Sequence, residues 1–307
     1  MDESLVRFQR SEFTERLAKA AISQLTFVRR IPLKKLYFAL VLFICYVVSI
    51  TSIYAAPLDG LVLHLTFDEG QGDTAQDASG NGNNGTLVGN LNWVSGKTGS
   101  ALQFDGAENA SYVEVADDPS LNPATEITCS AWIYFDTFLG SGGIISKYIG
   151  AGNQRSYTIH MHHDNPLGIA ADFSSSGVYK AGTSAMSAGT DGDVIKEGEW
   201  QHVAVTFKAQ EFLRIYINGQ MQAEEEVVAG VMDTIFDNNV PLLIGNDFQI
   251  GGSHRAGQPR EFTGIIDEVM IFNRELSAQE IQSIMSGATA SVEPGGKLAT
   301  RWSAIKN

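Results

Sequence analysis

The 307-residue chain is 44% hydrophobic with 31 glycines and 8 prolines, a composition that suits a full core and many tight turns rather than disorder. Eight basic and four acidic residues give residues 1–35 a net charge of +4, whereas 13 basic and 31 acidic residues leave the remainder at −18. So acidic a body repels phosphate backbones and argues against nucleic acid as a partner. The two cysteines, Cys45 in an apolar segment and Cys129 in a strand pattern, offer no disulfide framework.

From Leu36 to Ala56 run 21 uncharged residues, preceded by Arg29, Arg30, Lys34 and Lys35. Basic residues, an apolar run and the small residues Ser52, Ala55 and Ala56 describe a secretory signal, although cleavage after Ala56 would set Tyr54 poorly at the −3 position. The run also reaches the roughly 20 residues that a membrane-spanning helix needs. Either way the basic flank directs residues 57–307 outward, so the body is read as secreted or membrane-anchored through residues 36–56. Residues 1–28 carry a loose helical stripe (Leu5, Phe8, Phe13, Leu17, Ala21, Leu25), read as an interfacial helix, an extended signal region, or residues upstream of a later start.

The body opens with Leu61, Leu63, Leu65 and Phe67 alternating on one strand face. Residues 71–85 form a loop of Asp, Asn, Ser and Gly, rich in oxygen and poor in core residues. Short strands follow at Thr86–Val88, Ala101–Phe104 and Tyr112–Val115. Ile127 to Phe135 alternates most clearly, with Thr128, Ser130, Trp132 and Tyr134 on the second face. Strands are also predicted at Gly143–Ser146, Ser156–His162 and Leu167–Phe173, whereas residues 174–198 read as long loops. Trp200–Phe207 and Phe212–Ile217 form a strand pair, and Asn218-Gly219 is a strong hairpin signal leading into Gln220–Ala223. After Leu242–Ile244 and a polar loop at 246–260, the last strand covers Gly264–Phe272, with Ile265, Val269 and Ile271 on one face and Ile266, Met270 and Phe272 on the other. Ser277 and Glu280 form a capping box before an apolar stripe of Ile281, Ile284 and Met285. The tail 288–307 reads as a linker with a Leu298/Trp302/Ile305 stripe. Many short strands with one terminal helix predict an all-β, antiparallel two-sheet sandwich.

Seven blocks then carry a resemblance. Leu65-Thr66-Phe67-Asp68-Glu69-Gly70, Asp77-Ala78-Ser79-Gly80-Asn81, Asn84-Gly85-Thr86, Ala101 to Gly106, Trp200 to Ala204, Ile215 to Gly219 and Ile266 to Ser277 occur in the order of a laminin-G-like jelly roll. The chain from 58 to 287 thus resembles the type 3 LamG group of the concanavalin A-like lectin/glucanase fold, related in plan to pentraxins. The resemblance implies a non-catalytic extracellular module that binds a glycan or a protein, commonly with calcium.

Asp267 lies in a strand whose two faces look buried, so its carboxylate requires a cation or several donors. Calcium takes six to eight hard oxygen ligands, which the 68–85 loop supplies in carboxylates, amides and carbonyls. The family places the first and last strands side by side, so a calcium is expected at Asp68, Asp77, Asn84 and Asp267; the alternative is that these side chains accept backbone N–H bonds. His160 and His162 share a strand face at a spacing that can hold a transition metal, but no third ligand stands at a diagnostic spacing, so the cluster with His163 reads as an exposed strand end; His202 reads as a structural hydrogen-bonding histidine over Trp200. For glycan binding the aromatic candidates are Trp132 and Tyr134 on one strand face, and Tyr148, Tyr157 and Tyr179 in or beside loops. A glycoside hydrolase of this fold would hold two carboxylates about 5–10 Å apart, from a Glu-x-Asp-x-x-Glu strand; that pattern does not occur, and Glu224-Glu225-Glu226 reads as a solvated edge. The first expectation is therefore an exported glycan- or protein-binding module, the second a membrane-anchored adhesive protein, and the third a hydrolase.

Overall fold

The chain divides into two units, Met1–Ala56 and Pro57–Asn307. The computed structural model describes residues 58–106, 111–137, 142–149, 151–246 and 261–287, all in the second unit. The expectations for the apolar segment 36–56, for residues 1–28 and for the tail 288–307 lie outside the described residues. Among the described residues no helix is long and apolar enough to cross a membrane.

The strands in chain order begin with β1 (Leu61–Leu65), β2 (Thr74–Ala75), β3 (Gly85–Val88), β4 (Asn92–Ser95), β5 (Ser100–Asp105) and β6 (Tyr112–Val115). Next come β7 (Glu126–Phe135), β8 (Gly143–Ile149), β9 (Gln154–Met161), β10 (Ile169–Gly177) and β11 (Ala185–Gly189). The chain then forms β12 (Trp200–Lys208), β13 (Phe212–Ile217), β14 (Gln220–Glu226), β15 (Leu242–Ile244), β16 (Thr263–Phe272) and the helix α1 (Ala278–Met285). One eight-stranded sheet has the order β14-β13-β12-β7-β16-β5-β4, with β1 also on β16; the other has the order β11-β10-β9-β8-β15-β6-β3-β2. Every pairing between these strands is antiparallel, so the architecture is the expected all-β sandwich.

Alternation explains where the core sits. Ile127, Cys129, Ala131, Ile133 and Phe135 of β7 turn inward, as do Val203, Val205 and Phe207 of β12. They meet Tyr157 and Ile159 of β9 and Phe173 of β10, where the Phe173 and Phe207 rings stack at 4.7 Å across the two sheets. Burying each such side chain contributes roughly 1.5–3 kcal/mol. Cys129 is a buried free thiol, and burial raises its pKa beyond the physiological range, so it behaves as a small apolar core residue. The β13–β14 turn has Asn218 at φ 51° and Gly219 at φ 73°, the left-handed pair that a tight hairpin requires.

Two local readings are corrected. Residues 174–198 do not stay outside the sheet: β10 runs on to Gly177, and β11 pairs with it from Ala170–Gly189 to Ser174–Ala185. In β16 the face assignment slips at Glu268, whose φ of 51° marks a bulge between Asp267 and Met270. The extra residue puts Ile266, Val269 and Ile271 on the core side, while Asp267, Met270 and Phe272 belong to the outer face. On that outer face α1 closes the structure. Ser277 and Glu280 form the capping box, and Ile281 and Ile284 bury against Ala204, Tyr216, Met270 and Phe272.

Candidate functional site

The outer faces of the two sheets carry most of the polar strand residues, and each lines a pocket. On the first sheet, β-pairing sets His202, Trp132 and Asp267 side by side in one rung, with Trp200 opposite Tyr134 in the next. The His202 ring meets Trp132 edge-on at 5.4 Å rather than lying over Trp200, which instead contacts Tyr134 at 5.7 Å. Lys97 Nζ sits 4.2 Å over the Trp132 ring, so a cation already covers one face of that indole. Trp132, His202, Lys97 and Glu268 line a cavity of about 280 Å³ beside α1. Glu268 Oε2 accepts from His64 Nε2 at 2.6 Å. The expected hydrogen-bonding role of His202 is not met by its ring: Nδ1 is buried with no partner, and burial holds the imidazole down at a pKa of about 4.

The four residues expected around calcium fall into two separate arrangements. Asp77 accepts four bonds, from His64 N and Ser79 N at Oδ1 and from Ser79 Oγ and Asn83 N at Oδ2, while Asn84 Oδ1 accepts from Asp77 N. These bonds fold the 77–84 loop onto β1. Asp68 and Asp267 both hold the turn between β4 and β5: Asp68 Oδ1 accepts from Ser100 N and Asp267 Oδ2 from Thr98 N, each at 3.1 Å. That turn approaches them so closely that a Cβ on Gly99 would collide with the Asp68 carboxylate, and one on Gly96 with that of Asp267. Asp267 is fully buried; burial raises its carboxyl, against the Thr98 N–H and with a push from Glu268, to about 7. Among the described residues no three His, Cys, Asp or Glu side chains form a group able to hold a metal. Side-chain oxygens already aimed at N–H groups and split between two loops do not fit a single calcium ion held by these four residues. Adding chelator to the purified chain is accordingly expected to leave its melting midpoint unchanged; a fall of several degrees would restore a structural ion.

On the second sheet the pocket is larger, about 570 Å³, and brings together Tyr148 and Tyr179 with Arg155, His160, His162 and Asp172. Strands β8, β9, β10 and β11 supply it because their outward residues stand opposite one another: Tyr148 with Arg155, His160 with Ala170, Asp172 with Ser187. His160 Nε2 lies 3.1 Å from Asp172 Oδ2 and its Nδ1 2.9 Å from the Met161 carbonyl, an arrangement that an imidazolium satisfies. Ser187 donates a short bond to the other Asp172 oxygen, which leaves Tyr179 to donate to Ser187 at 2.8 Å. Burial raises the Asp172 carboxyl, but the His160 and Ser187 bonds outweigh it and hold the group below the usual range. His162 Nδ1 accepts from the backbone N–H groups of Asp164 and Asn165, which places its proton on Nε2. Burial and the neighbouring His163 and His160 hold its pKa down.

Tyr148 and Tyr179 therefore do meet in one pocket, whereas Trp132 and Tyr134 belong to the opposite sheet. Tyr157 is corrected outright: it is fully buried between the sheets and donates to the Leu121 carbonyl at 3.0 Å, because its position on β9 points into the core. Arg155, Asp172 and Ser187 were not singled out from the sequence. Their signal was only that of polar positions in alternating strands.

Two antiparallel sheets closed by a capped terminal helix define a jelly-roll sandwich. The chain belongs to the Laminin_G_3 family of the concanavalin A-like lectin/glucanases superfamily, whose model matches residues 105–282. A relative from Rattus norvegicus, the sushi, von Willebrand factor type A, EGF and pentraxin domain-containing protein 1, is 23% identical over 212 residues, covering 65% of this chain and 5% of that protein. The fold is shared with the binding domain of Paraclostridial Mosquitocidal Protein 1, at a TM-score of 0.57 and 18% identity, covering 75% of this chain and 53% of that one. It is also shared with a botulinum neurotoxin type C structure, described by the dependence of cell entry on two ganglioside molecules, at a TM-score of 0.55 and 16% identity, covering 76% and 53%. The chain thus spans about half of those toxin structures and one-twentieth of the rat protein.

Proposed function

We propose that residues 58–287 form an exported, non-catalytic module that binds an extracellular carbohydrate in the pocket of the second sheet. The observation that carries this reading is the combination, in one cavity of about 570 Å³, of the Tyr148 and Tyr179 rings with the Tyr179–Ser187–Asp172–His160 hydrogen-bonded chain. Small-molecule sites commonly fall between about 300 and 1,000 Å³ and pair apolar walls with a few fixed polar groups. A sugar presents a C–H face to an aromatic ring and hydroxyls to such fixed groups. The ganglioside-dependent neurotoxin relative and the lectin superfamily support a glycan ligand, and the rat relative, with its sushi and EGF domains, supports an extracellular setting. The non-catalytic part rests on the lining, where Asp172 is the sole carboxylate among the described residues and both its oxygens are engaged. Hydrolysis of this type uses two carboxylates.

Glycan-array binding by the full chain in mild detergent tests the proposal. Tyr179→Ala is expected to reduce binding about tenfold, in line with the loss of an aromatic contact and a hydrogen bond, while leaving the melting midpoint in place because Tyr179 is exposed. Absence of any glycan binding would sink it. A protein ligand is the second reading, favoured by the exposed apolar Val178, Tyr179 and Val228 around a neighbouring cleft that Tyr179 and Val228 line. Anchoring through residues 36–56 would suit either ligand.

A further inference from the structure

We infer that the pocket of the second sheet takes an acidic glycan, with a carboxylate or sulfate group of the sugar held by Arg155; this rests on the carbohydrate reading above and narrows it. Arg155 enters the pocket from β9, its guanidinium carbon 5.7 Å from the centroid of the Tyr148 ring. Its Nε is buried and has no hydrogen-bond acceptor, and among the described residues no carboxylate lies within ion-pair distance of its guanidinium. A buried donor left unmade is costly, more so on a charged group. A guanidinium presents its N–H donors as a fixed planar fork whose natural partner is an oxyanion.

The rest of the lining points the same way. Asp172, the carboxylate that ought to neutralise a cation here, is held by His160 and Ser187. His160 has acceptors at both ring nitrogens, so the His160–Asp172 pair balances its own charge and leaves that of Arg155 uncompensated. His162 adds a second donor, since its Nδ1 is occupied by backbone N–H groups and its Nε2 carries the proton. That Nε2 stands where a Cβ on Gly189 would come within 2.5 Å, so the absence of a side chain at Gly189 keeps the ring in place at the pocket wall. The free donors thus exceed the free acceptors in a body that is otherwise strongly acidic. The Tyr148 ring lies within cation–π reach of the guanidinium and forms one wall beside it.

The test presents the full chain, in mild detergent, with three sets of immobilised glycans: neutral oligosaccharides, oligosaccharides bearing uronate or sialate carboxylates, and sulfated oligosaccharides. Binding to either anionic set in preference to the neutral one is the expected result, and which set is bound tells a carboxylate from a sulfate. Arg155→Gln is expected to weaken that binding by about tenfold or more, and Arg155→Lys, which keeps the charge but not the fork, by less. With the unaltered chain, free glucuronate is expected to compete where glucose does not, a measurement that needs no variant to fold. Equal binding of neutral glycans, or anionic binding that survives Arg155→Gln, would overturn the assignment of Arg155 while leaving a carbohydrate site in place. If no glycan of any set is bound, the carbohydrate reading itself fails and this inference with it.

Discussion

Replacing Lys147 with Met is expected to destabilise the domain by about 3 kcal/mol, the lower end of the cost of breaking a buried ion pair from one side. For a domain of this size that corresponds to a fall of roughly 6–12 °C in the melting midpoint. Lys147 lies on β8 opposite Tyr157, on the core side of the sheet, and its side chain is completely buried. A lysine there is tolerated because the ammonium finds four acceptors: Asp117 Oδ1, Asn238 Oδ1 and the Val240 carbonyl, each at 2.7 Å, and the Asn238 carbonyl at 3.2 Å. Asn238 answers by donating to the carbonyls of Lys147 and Gln154. One cation thereby ties the 117–118 loop and the 238–240 segment to the middle of the second sheet. Burial pushes the Lys147 pKa down, and the Asp117 bond opposes that shift. Met preserves the volume of the stem but leaves the acceptors bare. Asp117 is about one-third exposed and recovers water, which is why the lower end of the range applies. Adding Asp117→Asn to Lys147→Met is expected to recover part of the loss, since no isolated charge then remains. Lys147→Met and Asp117→Asn, each made alone and each melting within 2 °C or so of the wild type, would show that the network contributes little.

The same lysine shows where the amino-acid sequence is legible and where it is not. β7, β12, β13 and the Asn218-Gly219 hairpin can be read directly, because alternation and left-handed turn residues are local properties. The capping box at Ser277 and Glu280 is local too. Lys147 and Arg155 are not legible, since nothing in Ile-Ser-Lys-Tyr or Gln-Arg-Ser distinguishes a cation inside the sandwich from one in water. Their roles follow from pairing across β8, β9 and the 238–240 segment, contacts of long sequence separation. Alternation alone misassigns the β16 faces because a single residue, Glu268, turns to φ 51° and shifts the period by one. The Asp/Asn/Gly loop resembles a calcium cradle in sequence because the oxygens that bind an ion are the same ones that accept backbone N–H bonds, and only the fold decides between them. Asp77, with four such bonds, shows the second use. The pocket that Tyr148 and Tyr179 share shows in the sequence only as two separate loop aromatics; the Asp172–Ser187 rung to which Tyr179 bonds is a matter of register.

The two buried titratable groups of the His202–Trp132–Asp267 rung are expected to give the domain opposing pH dependences, each visible only when the other is removed. His202 is nearly inaccessible, and burial lowers its pKa from 6.5 to about 4. The unfolded chain therefore binds a proton that the folded chain refuses between those values. The stability that His202 contributes is complete above pH 6.5 and is lost as the pH falls toward 4, by about 3 kcal/mol at most. Asp267 runs the other way. Burial raises it from 3.8 to about 7, so the folded chain binds the extra proton in that window. Stability from Asp267 is greatest below pH 3.8 and is lost as the pH rises to 7, by about 4 kcal/mol at most. Across pH 4–7 the two nearly cancel. His202→Gln is expected to become more stable relative to wild type on acidification, and Asp267→Asn less stable. Melting each variant and the wild type at matched pH values and taking differences removes the contribution of groups common to all three, such as Asp172 and Glu280, whose pKa values are held low by their partners. Difference curves that stay flat from pH 4 to pH 7 would mean that water reaches the rung. A slope from Asp267→Asn alone would mean that His202 finds a partner for Nδ1 in solution, and the cavity that it shares with Trp132, Lys97 and Glu268 is where that partner would sit.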